Sequence, residues 1–236
     1  ELAEAGAIEM HIIKTSGDKF LRRPLADIGG KGLFTKEIDE ALSAGAIDIA
    51  VHSMKDVPTR LPSGLEITCI LPREDPRDAL IGNALSSLSD LPQGARVGTA
   101  SLRRRAQLLY LRPDLEITLL RGNVATRLRK VAEGKIDATL LAVAGLKRLD
   151  CAEHIAAVLS PEKMLPAVAQ GAIGVECRAN NGRILSYLAA LNDSESAQRV
   201  GAERALLAAL DGSCRTPIAA LAEITTGERL YLRALI

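Results

Sequence analysis

The stretch RVGTASLRRRAQLLYLRPDLEITLLRGNVATRLRKVAEGKIDATLLAV, residues 96–143, contains the same structural unit twice. The apolar runs Arg96–Gly98 and Glu116–Leu120 each predict a short strand. A turn and an amphipathic helix follow each of them, over Leu102–Leu111 and Ala125–Glu133. Strands that alternate with helices favour parallel sheets with helices packed on their faces. The stretch therefore predicts an α/β fold.

The same alternation extends to both sides of this stretch. Further strands are predicted over Ile8–Ile13, Ile47–Val51, Leu65–Leu71 and Asp137–Val143, and a hairpin over Ile218–Glu223 and Arg229–Leu235. Further helices are predicted over Phe34–Ser43, which the breaker Gly45 ends, and over Glu195–Leu210. The unit repeats without the fixed period of a solenoid.

Two proline-marked stretches divide the chain into segments. Pro72–Asp78 is polar and indicates a crossing into a second domain, and Ser160–Pro166 indicates a crossing back. We therefore expect three domains: residues 1–72 with 167–190, residues 73–166, and residues 191–236. The chain begins at Glu1 rather than Met and ends inside an apolar run at Ile236, so we expect both ends to be truncated.

The composition of the 236 residues excludes several classes of protein. Aromatic residues make up 2% with no Trp, and the formal net charge is +1, which disfavours a binder of single-stranded or duplex nucleic acid. No apolar run approaches the roughly 20 residues of a membrane span. No two of the four cysteines form a C-x-x-C pair. This spacing argues against a zinc site and against a disulfide scaffold, and it favours reduced cytoplasmic thiols.

A polar run follows the predicted strand that ends at Val51, and it contains Lys55 and Asp56. Ligands of open α/β sheets bind outside the carboxyl ends of the strands. A carboxylate at that position can stabilise a developing cation and transfer protons, and a neighbouring ammonium keeps it ionised. A solvated loop with a chance Lys–Asp pair is the alternative.

Arginines cluster at the turns that precede two predicted helices. Ser101 is a natural N-cap, and the exposed N–H groups and the helix dipole favour an anion there. Arg103, Arg104 and Arg105 lie in the first turn, where positive charge is unfavourable, so we expect a buried or bound counter-anion. Successive residues point about 100° apart on a helix, so the three cannot all face one ligand. Arg121, Arg127 and Arg129 repeat the pattern at the next turn, and a solvated basic face is the alternative.

Two further stretches contain residues of types that can react with or bind a ligand. Cys214, on a glycine-containing loop beside Arg215, has the surroundings of a reactive thiolate, although most lone cysteines are small buried hydrophobes. The run Gly29–Gly32 fails as a phosphate loop because no Ser or Thr follows Lys31 and the required earlier glycine is missing.

Seven short stretches, in this order, resemble the hydroxymethylbilane synthase (porphobilinogen deaminase) family, and together they span nearly the whole chain. They are Gly29–Phe34, Ala50–Pro58, Arg73–Asp78, Gly98–Arg104, Leu120–Val124, Gln170–Glu176 and Gly212–Cys214. The resemblance implies two periplasmic-binding-protein-like (type II) α/β domains around a cleft, with a small α+β third domain. The family's N-terminal Thr-Arg-x-Ser segment is missing from this sequence.

The resemblance also implies an activity and a cofactor. A family member deaminates four porphobilinogen molecules and joins them stepwise onto an enzyme-bound dipyrromethane, releasing hydroxymethylbilane. That cofactor is implied to be covalent, through a thioether to Cys214. Asp56 and Lys55 match catalytic positions that also contact the cofactor. The other implied cofactor-binding residues are Thr99, Ser101, Arg103, Arg104, Arg121 and Gly122; the implied substrate-binding residues are Arg127, Arg148, Gln170 and Lys31, the last in a loop that resembles a lid.

No metal is implied, and the expected partner is porphobilinogen alone, bound by a cytoplasmic monomer that contacts neither nucleic acid nor a membrane. The main alternative is a non-catalytic small-anion binding module of the periplasmic-binding-protein type. Such a module has no need of a thiol at Cys214, which favours the transferase. A nucleic-acid binder that uses the basic helix Leu102–Leu111 is disfavoured by the low net charge and the scarcity of aromatic residues.

Overall fold

The computed structural model describes residues 6–15, 35–213, 216–227 and 229–236. The helices are α1 Lys36–Ser43, α2 Leu102–Leu111, α3 Val124–Ala132, α4 Val143–Arg148, α5 Gly182–Leu191 and α6 Ser194–Ala209. The strands are β1 Ile49–Ser53, β2 Leu65–Ile70, β3 Asp78–Gly82, β4 Arg96–Gly98, β5 Glu116–Thr118, β6 Ala138–Ala142, β7 Ala157–Val158, β8 Ile173–Arg178, β9 Ala219–Thr225 and β10 Arg229–Leu235. Short 3-10 helices cover Met54–Asp56, Leu88–Asp90 and Ala152–His154.

The strands form three sheets. A three-stranded sheet has the order β1-β8-β2, a five-stranded sheet has the order β5-β4-β6-β3-β7, and β9 pairs with β10 in a hairpin. The predicted α/β class is confirmed. Each sheet lies within one of the three predicted segments of the chain, and the division into three domains stays a prediction.

Aliphatic side chains form the core of each unit, as the near absence of aromatic residues requires. In the five-stranded sheet, Leu80, Val97 and Leu140 pack against Leu108 of α2 and are all fully buried. In the three-stranded sheet, Cys69, Val175 and Cys177 pack against Leu188 of α5. Helix α6 packs on β9, with Val200 in a cluster that also contains Met54 and Ala220. Burial of this apolar surface holds the helices on the sheets.

The expectation of parallel sheets is only partly correct. Strand β4 is parallel to β5 and β6, whereas β3 is antiparallel to β6, and β8 is antiparallel to both β1 and β2. Parallel strands need a long crossover connection, usually a helix. Strands β3 and β8 instead follow the two crossing stretches, Pro72–Asp78 and Ser160–Pro166, with no helix directly before them. These two strands can therefore pair antiparallel with their neighbours.

The predicted strand Ile8–Ile13 is wrong. Residues 6–15 form no strand, and Ile8, Met10 and Ile12 are 75–85% exposed. An apolar alternation does not make a strand without a neighbouring strand to take its backbone hydrogen bonds and a surface to bury its side chains. None of the described helices is long and apolar enough to cross a bilayer.

Candidate functional site

An open cleft of about 200 Å³ lies at the meeting point of loops from all three sheets. Its walls come from the 3-10 helix after β1, the turn before α2, the first turns of α2 and α3, the segment before β8, and the end of α6 with the loop after it. The lining residues are Lys55, Asp56, Ala100, Ser101, Arg103, Arg104, Arg127, Ala167, Val168, Gln170, Leu207, Ser213, Thr216 and Ile218. The cleft thus collects cationic side chains around one acidic group.

Lys55 and Asp56 lie on the 3-10 helix that directly follows β1. The N–H of Met54, the first residue of that turn, donates to the carbonyl of Ala172 over 3.1 Å, and the Met54 side chain is buried. Asp56 is exposed, and Lys55 is half-buried. Burial lowers the pKa of Lys55; the carboxylate of Asp56 opposes that shift, and the charge of Arg104 adds to it. The turn therefore presents an acid and an ammonium side by side.

His52, from the same polar run, is not among the residues that line this cleft. Its Nε2 lies 2.9 Å from Oε2 of Glu176 on β8, and both side chains are buried. The pair ties β1 to the middle strand of its sheet immediately before the Lys55–Asp56 turn.

The turn before α2 is capped as the sequence predicts. Ser101 Oγ accepts from the N–H of Arg104 over 3.3 Å, and Thr99 Oγ1 accepts from the N–H of Ser101 over 3.1 Å. Thr99 is buried, and its hydroxyl thereby holds the backbone of the N-cap residue Ser101. Ser101 lines the cleft, whereas Thr99 is not among the lining residues.

The counter-anion expected for the arginines of α2 is a residue of the chain itself, Asp78. Its Oδ1 lies 2.7 Å from Nη2 of Arg104, and its Oδ2 lies 2.8 Å from Nη2 of Arg103. Burial would raise the pKa of the Asp78 carboxyl, but the charges of the two arginines outweigh burial and hold that pKa below its usual range. Two guanidinium groups share one carboxylate, so one positive charge remains at the cleft wall.

Gln170 belongs to the same network. Its Nε2 donates to Oδ1 of Asp78 over 2.9 Å and to the carbonyl of Pro76 over 2.7 Å, and the residue is 1% exposed. The carbonyl of Leu165 accepts from Nη1 of Arg103 over 2.7 Å. The side chains that line this wall are thus fixed by both crossing stretches.

The second basic turn precedes α3. Asn123 caps that helix by accepting from the N–H of Thr126 over 2.9 Å, and Nε of Arg127 donates to the carbonyl of Gly122 over 2.8 Å. Gly122 has a φ of 120°, which a residue with a Cβ rarely adopts. Burial lowers the pKa of Arg127, and the charges of Arg104 and Arg121 lower it further, which shows that like charges are crowded here.

Of the remaining predicted residues that the structure describes, Arg148 lies away from the lining of the cleft. Arg148 is exposed at the end of α4, where its Nη2 donates to the carbonyl of Gly171 over 2.7 Å, and it is not among the cleft-lining residues. Lys31 and Cys214 fall outside the described residues. Ser213 and Thr216, on either side of residues 214–215, both line the cleft.

Sequence reasoning assigned no role to Asp78, nor to a second buried pair, Arg73 and Glu203. Nη1 of Arg73 lies 2.6 Å from Oε1 of Glu203 on α6, and both side chains are nearly inaccessible. Glu203 also accepts from the N–H groups of Ala169 and Ala222 over 2.6 and 2.8 Å. One carboxylate thereby joins the first crossing stretch, through Arg73, and the segment before β8, through Ala169, to β9. Arg73 and Asp78 stand in one of the quoted stretches, but nothing local to them indicates their partners.

Comparisons with known proteins agree with one another on a family. Residues 1–186 match the model described as "Porphobilinogen deaminase, dipyromethane cofactor binding domain", and residues 197–236 match "Porphobilinogen deaminase, C-terminal domain". The chain is 61% identical over 222 residues to a chloroplastic porphobilinogen deaminase of Oryza sativa, covering 94% of this chain and 62% of that one. It is 59% identical over 229 residues to the porphobilinogen deaminase of Paracoccus denitrificans, covering 97% and 73%.

A chloroplastic porphobilinogen deaminase of Pisum sativum is 59% identical over 237 residues, covering 100% of this chain and 64% of that one. The chain therefore spans less than two thirds of the length of the two plant relatives. Among solved structures, a putative methionine-binding lipoprotein from Bacillus subtilis aligns with a TM-score of 0.46 at 13% identity, covering 69% of this chain and 77% of that one.

Proposed function

The chain belongs to the porphobilinogen deaminase family, and on that basis we propose that the protein is a transferase that makes hydroxymethylbilane from four molecules of porphobilinogen. The observation that supports this most directly is the composition of the cleft. Its lining contains Asp56 and Lys55 together with Arg103, Arg104 and Arg127. Each porphobilinogen carries two carboxylates, so the growing chain is a polyanion. A protein of low net charge with one basic cleft suits such a ligand.

The residues present fit the dipyrromethane that the family implies. Its carboxylates need cationic donors, which Lys55, Arg103, Arg104 and Arg127 supply in one cleft. We propose Cys214 as the attachment point, because the described neighbours on both sides of it, Ser213 and Thr216, line that cleft. When bound, this group supplies the pyrrole carbon to which the first substrate is joined.

The basic residues would bind and orient the substrate carboxylates. A guanidinium group binds a carboxylate through two parallel hydrogen bonds, which fixes direction as well as position. Asp78 holds Arg103 and Arg104 in place before any ligand arrives, so little side-chain freedom remains to be lost on binding. We keep Thr99, Ser101, Arg121 and Gly122 as proposed cofactor contacts, and Arg127, Arg148, Gln170 and Lys31 as proposed substrate contacts.

Asp56 is the residue that we propose performs the chemistry. As the carbon–nitrogen bond of porphobilinogen breaks, ammonia leaves and positive charge develops on the substrate pyrrole, which an adjacent carboxylate stabilises. After the new carbon–carbon bond forms, a proton must leave the α-carbon, and the same carboxylate can accept it. A non-catalytic anion-binding module would gain nothing from an exposed acid in a basic cleft, so Asp56 favours the enzyme.

The test is turnover of porphobilinogen by the full-length protein and by an Asp56→Asn variant that still carries its cofactor. We expect turnover to fall by at least about 100-fold, the usual scale for losing an acid–base group. Asp48→Asn is the matched control, because Asp48 directly precedes the strand that the Asp56 turn follows, is exposed, and pairs with Arg178 at the surface over 2.8 Å. Near-parental turnover in Asp56→Asn would contradict the proposed role.

We propose a cytoplasmic monomer, as the sequence predicts; two of the relatives are named as chloroplastic, so a plastid is the competing location. Light scattering of the full-length protein and fractionation of its source cells test the two proposals separately.

A further inference from the structure

We propose that Arg204 on α6 is a positioning residue for Asp56: it holds the two carbonyl groups that follow Asp56 in the chain and so fixes where the carboxylate stands in the cleft. This inference rests on the proposed function, because that function gives Asp56 its task.

Arg204 donates two hydrogen bonds to successive backbone carbonyl groups. Nη1 of Arg204 donates to the carbonyl of Val57 over 3.0 Å, and Nη2 donates to the carbonyl of Pro58 over 2.7 Å. The guanidinium group is planar and its donors have a fixed geometry, so it sets the direction of two successive peptide groups together. A lysine at the same place would offer a single charged nitrogen without that geometry.

The other end of the same turn is held independently. The N–H of Met54 donates to the carbonyl of Ala172 over 3.1 Å, and the Met54 side chain packs against Gly174 so closely that a Cβ there would meet its sulfur. Asp56 itself is exposed. The position of its carboxylate therefore depends on the backbone that carries it, which is fixed by β8 before Asp56 and by Arg204 after it.

Arg204 is charged where it lies, because a guanidinium group is not deprotonated in proteins. Burial lowers its pKa, and the charge of Glu176 opposes that shift. Glu176 lies 2.9 Å from His52, four residues before Asp56. The buried carboxylate of Glu176 on β8 thus acts both on His52, which precedes the turn, and on Arg204, which binds the residues after it.

Helix α6 connects Arg204 to the rest of the site. Glu203, next to Arg204, binds Arg73 and the N–H groups of Ala169 and Ala222. Leu207, one turn later, lines the cleft, as does Ser213 in the loop that follows the helix. The same rigid element therefore sets the position of the Asp56 turn relative to the loop that is proposed to carry the cofactor.

The experiment uses the full-length protein with Arg204→Met, which keeps the length and removes the donors, and Arg204→Lys, which keeps the charge. Arg199→Met is the control, because Arg199 lies on the same helix and pairs with the exposed Glu195 over 3.3 Å. We expect kcat of cofactor-loaded Arg204→Met to fall about 100-fold with KM nearly unchanged, the scale of a small misplacement of a catalytic group. Arg204→Lys should recover part of the loss, and Arg199→Met should match the parent.

A double-mutant cycle separates positioning from simple loss of stability. If Arg204 acts through Asp56, adding Arg204→Met to Asp56→Asn should lower kcat much less than it does in the parent. Amide hydrogen exchange of a peptide over residues 53–61 should be faster in Arg204→Met than in Arg199→Met, with or without bound cofactor.

Equal losses of kcat in both backgrounds, or unchanged kcat in folded, cofactor-loaded Arg204→Met, would overturn the proposal. If Arg204→Met does not fold, Arg204→Lys decides: a kcat loss that disappears in the Asp56→Asn background supports positioning, and an unchanged kcat overturns it. Failure of the proposed function would look different, since the parent protein itself would then not convert porphobilinogen.

Discussion

Asp78 and Arg104 form a buried ion pair, with Oδ1 of Asp78 2.7 Å from Nη2 of Arg104 and the carboxylate fully inaccessible to solvent. Arg103 shares the same carboxylate. Positive charge in the first turn of a helix is disfavoured by the helix dipole. The shared carboxylate offsets that cost and holds both arginines in fixed positions, while their combined charge still exceeds its own.

Replacing Asp78 with Asn should destabilise the protein by about 3 kcal/mol, because two buried arginines lose their counter-charge. Urea unfolding at neutral pH measures the loss. Asp114→Asn is the control: Asp114 pairs with Arg112 in a more accessible place, and we expect a much smaller effect. Equal losses in the two variants would contradict the importance given to the Asp78 pair.

The effect of Asp78 should depend on pH in a defined direction. Its pKa is lower in the folded protein than in the unfolded chain, where it is about 3.9. The stabilisation is therefore complete above that unfolded value and is lost as the pH falls below it. The difference in unfolding free energy between the parent and Asp78→Asn should stay constant between about pH 6 and pH 8 and shrink below about pH 4. A difference that grows on acidification would contradict the assignment.

Glu203→Gln should cost about 3–5 kcal/mol, the usual loss when one partner of a buried pair is removed. Glu203 is fully buried and accepts from Arg73 as well as from two backbone N–H groups. Glu195→Gln, on the exposed side of the same helix, should leave stability nearly unchanged. Thermal unfolding of the two variants checks this, and a stable Glu203→Gln would show that the carboxylate does not join the three units.

The parts of the fold that depend on local residues could be predicted from the sequence. Helix α2 has the predicted bounds, Leu102–Leu111, because Ser101 caps its start. The hairpin of β9 and β10 lies over nearly the residues predicted for it, Ile218–Glu223 and Arg229–Leu235. Lys55 and Asp56 directly follow β1, and Arg103, Arg104 and Arg127 lie in the first turns of the helices that follow β4 and β5, so local patterns predict that each group lies beyond the carboxyl end of a strand.

What depends on distant partners could not be predicted. Arg73 and Glu203 are 130 residues apart, and the carbonyls that Arg204 holds are 146 and 147 residues away. Nothing in a helical sequence pattern distinguishes such an arginine from a surface one. Strand β3 was missed because it begins at Asp78, inside a proline-marked stretch that indicates a loop, and its antiparallel pairing follows from the crossing rather than from its composition.

Arg127→Ala should raise KM for porphobilinogen by about tenfold, the loss expected for one charge-assisted contact. Arg129→Ala is the matched control on the same helix, because Arg129 is exposed and pairs with Glu133. The dependence of KM on salt should also weaken in Arg127→Ala only. Equal KM values for the two variants would remove Arg127 from the proposed substrate site.

Gly171→Ala should destabilise the protein by roughly 2 kcal/mol or more. Gly171 has a φ of 88°, and a Cβ there would lie 2.3 Å from the carbonyl oxygen of Glu74 in the first crossing stretch. Gly201→Ala, in α6, meets nothing within 4 Å and should stabilise by about 0.5–1 kcal/mol. Urea midpoints with unchanged slopes would measure both changes in stability, and a neutral Gly171→Ala would contradict the close approach of Gly171 to the first crossing stretch.

The most direct test of the proposed function is the intact mass of the full-length protein beside that of a Cys214→Ser variant. We expect an excess mass equal to two linked pyrroles in the parent and none in the variant. After incubation with porphobilinogen, we expect further one-pyrrole increments in the parent alone. A parent protein that stays unmodified before and after porphobilinogen would contradict the proposed function.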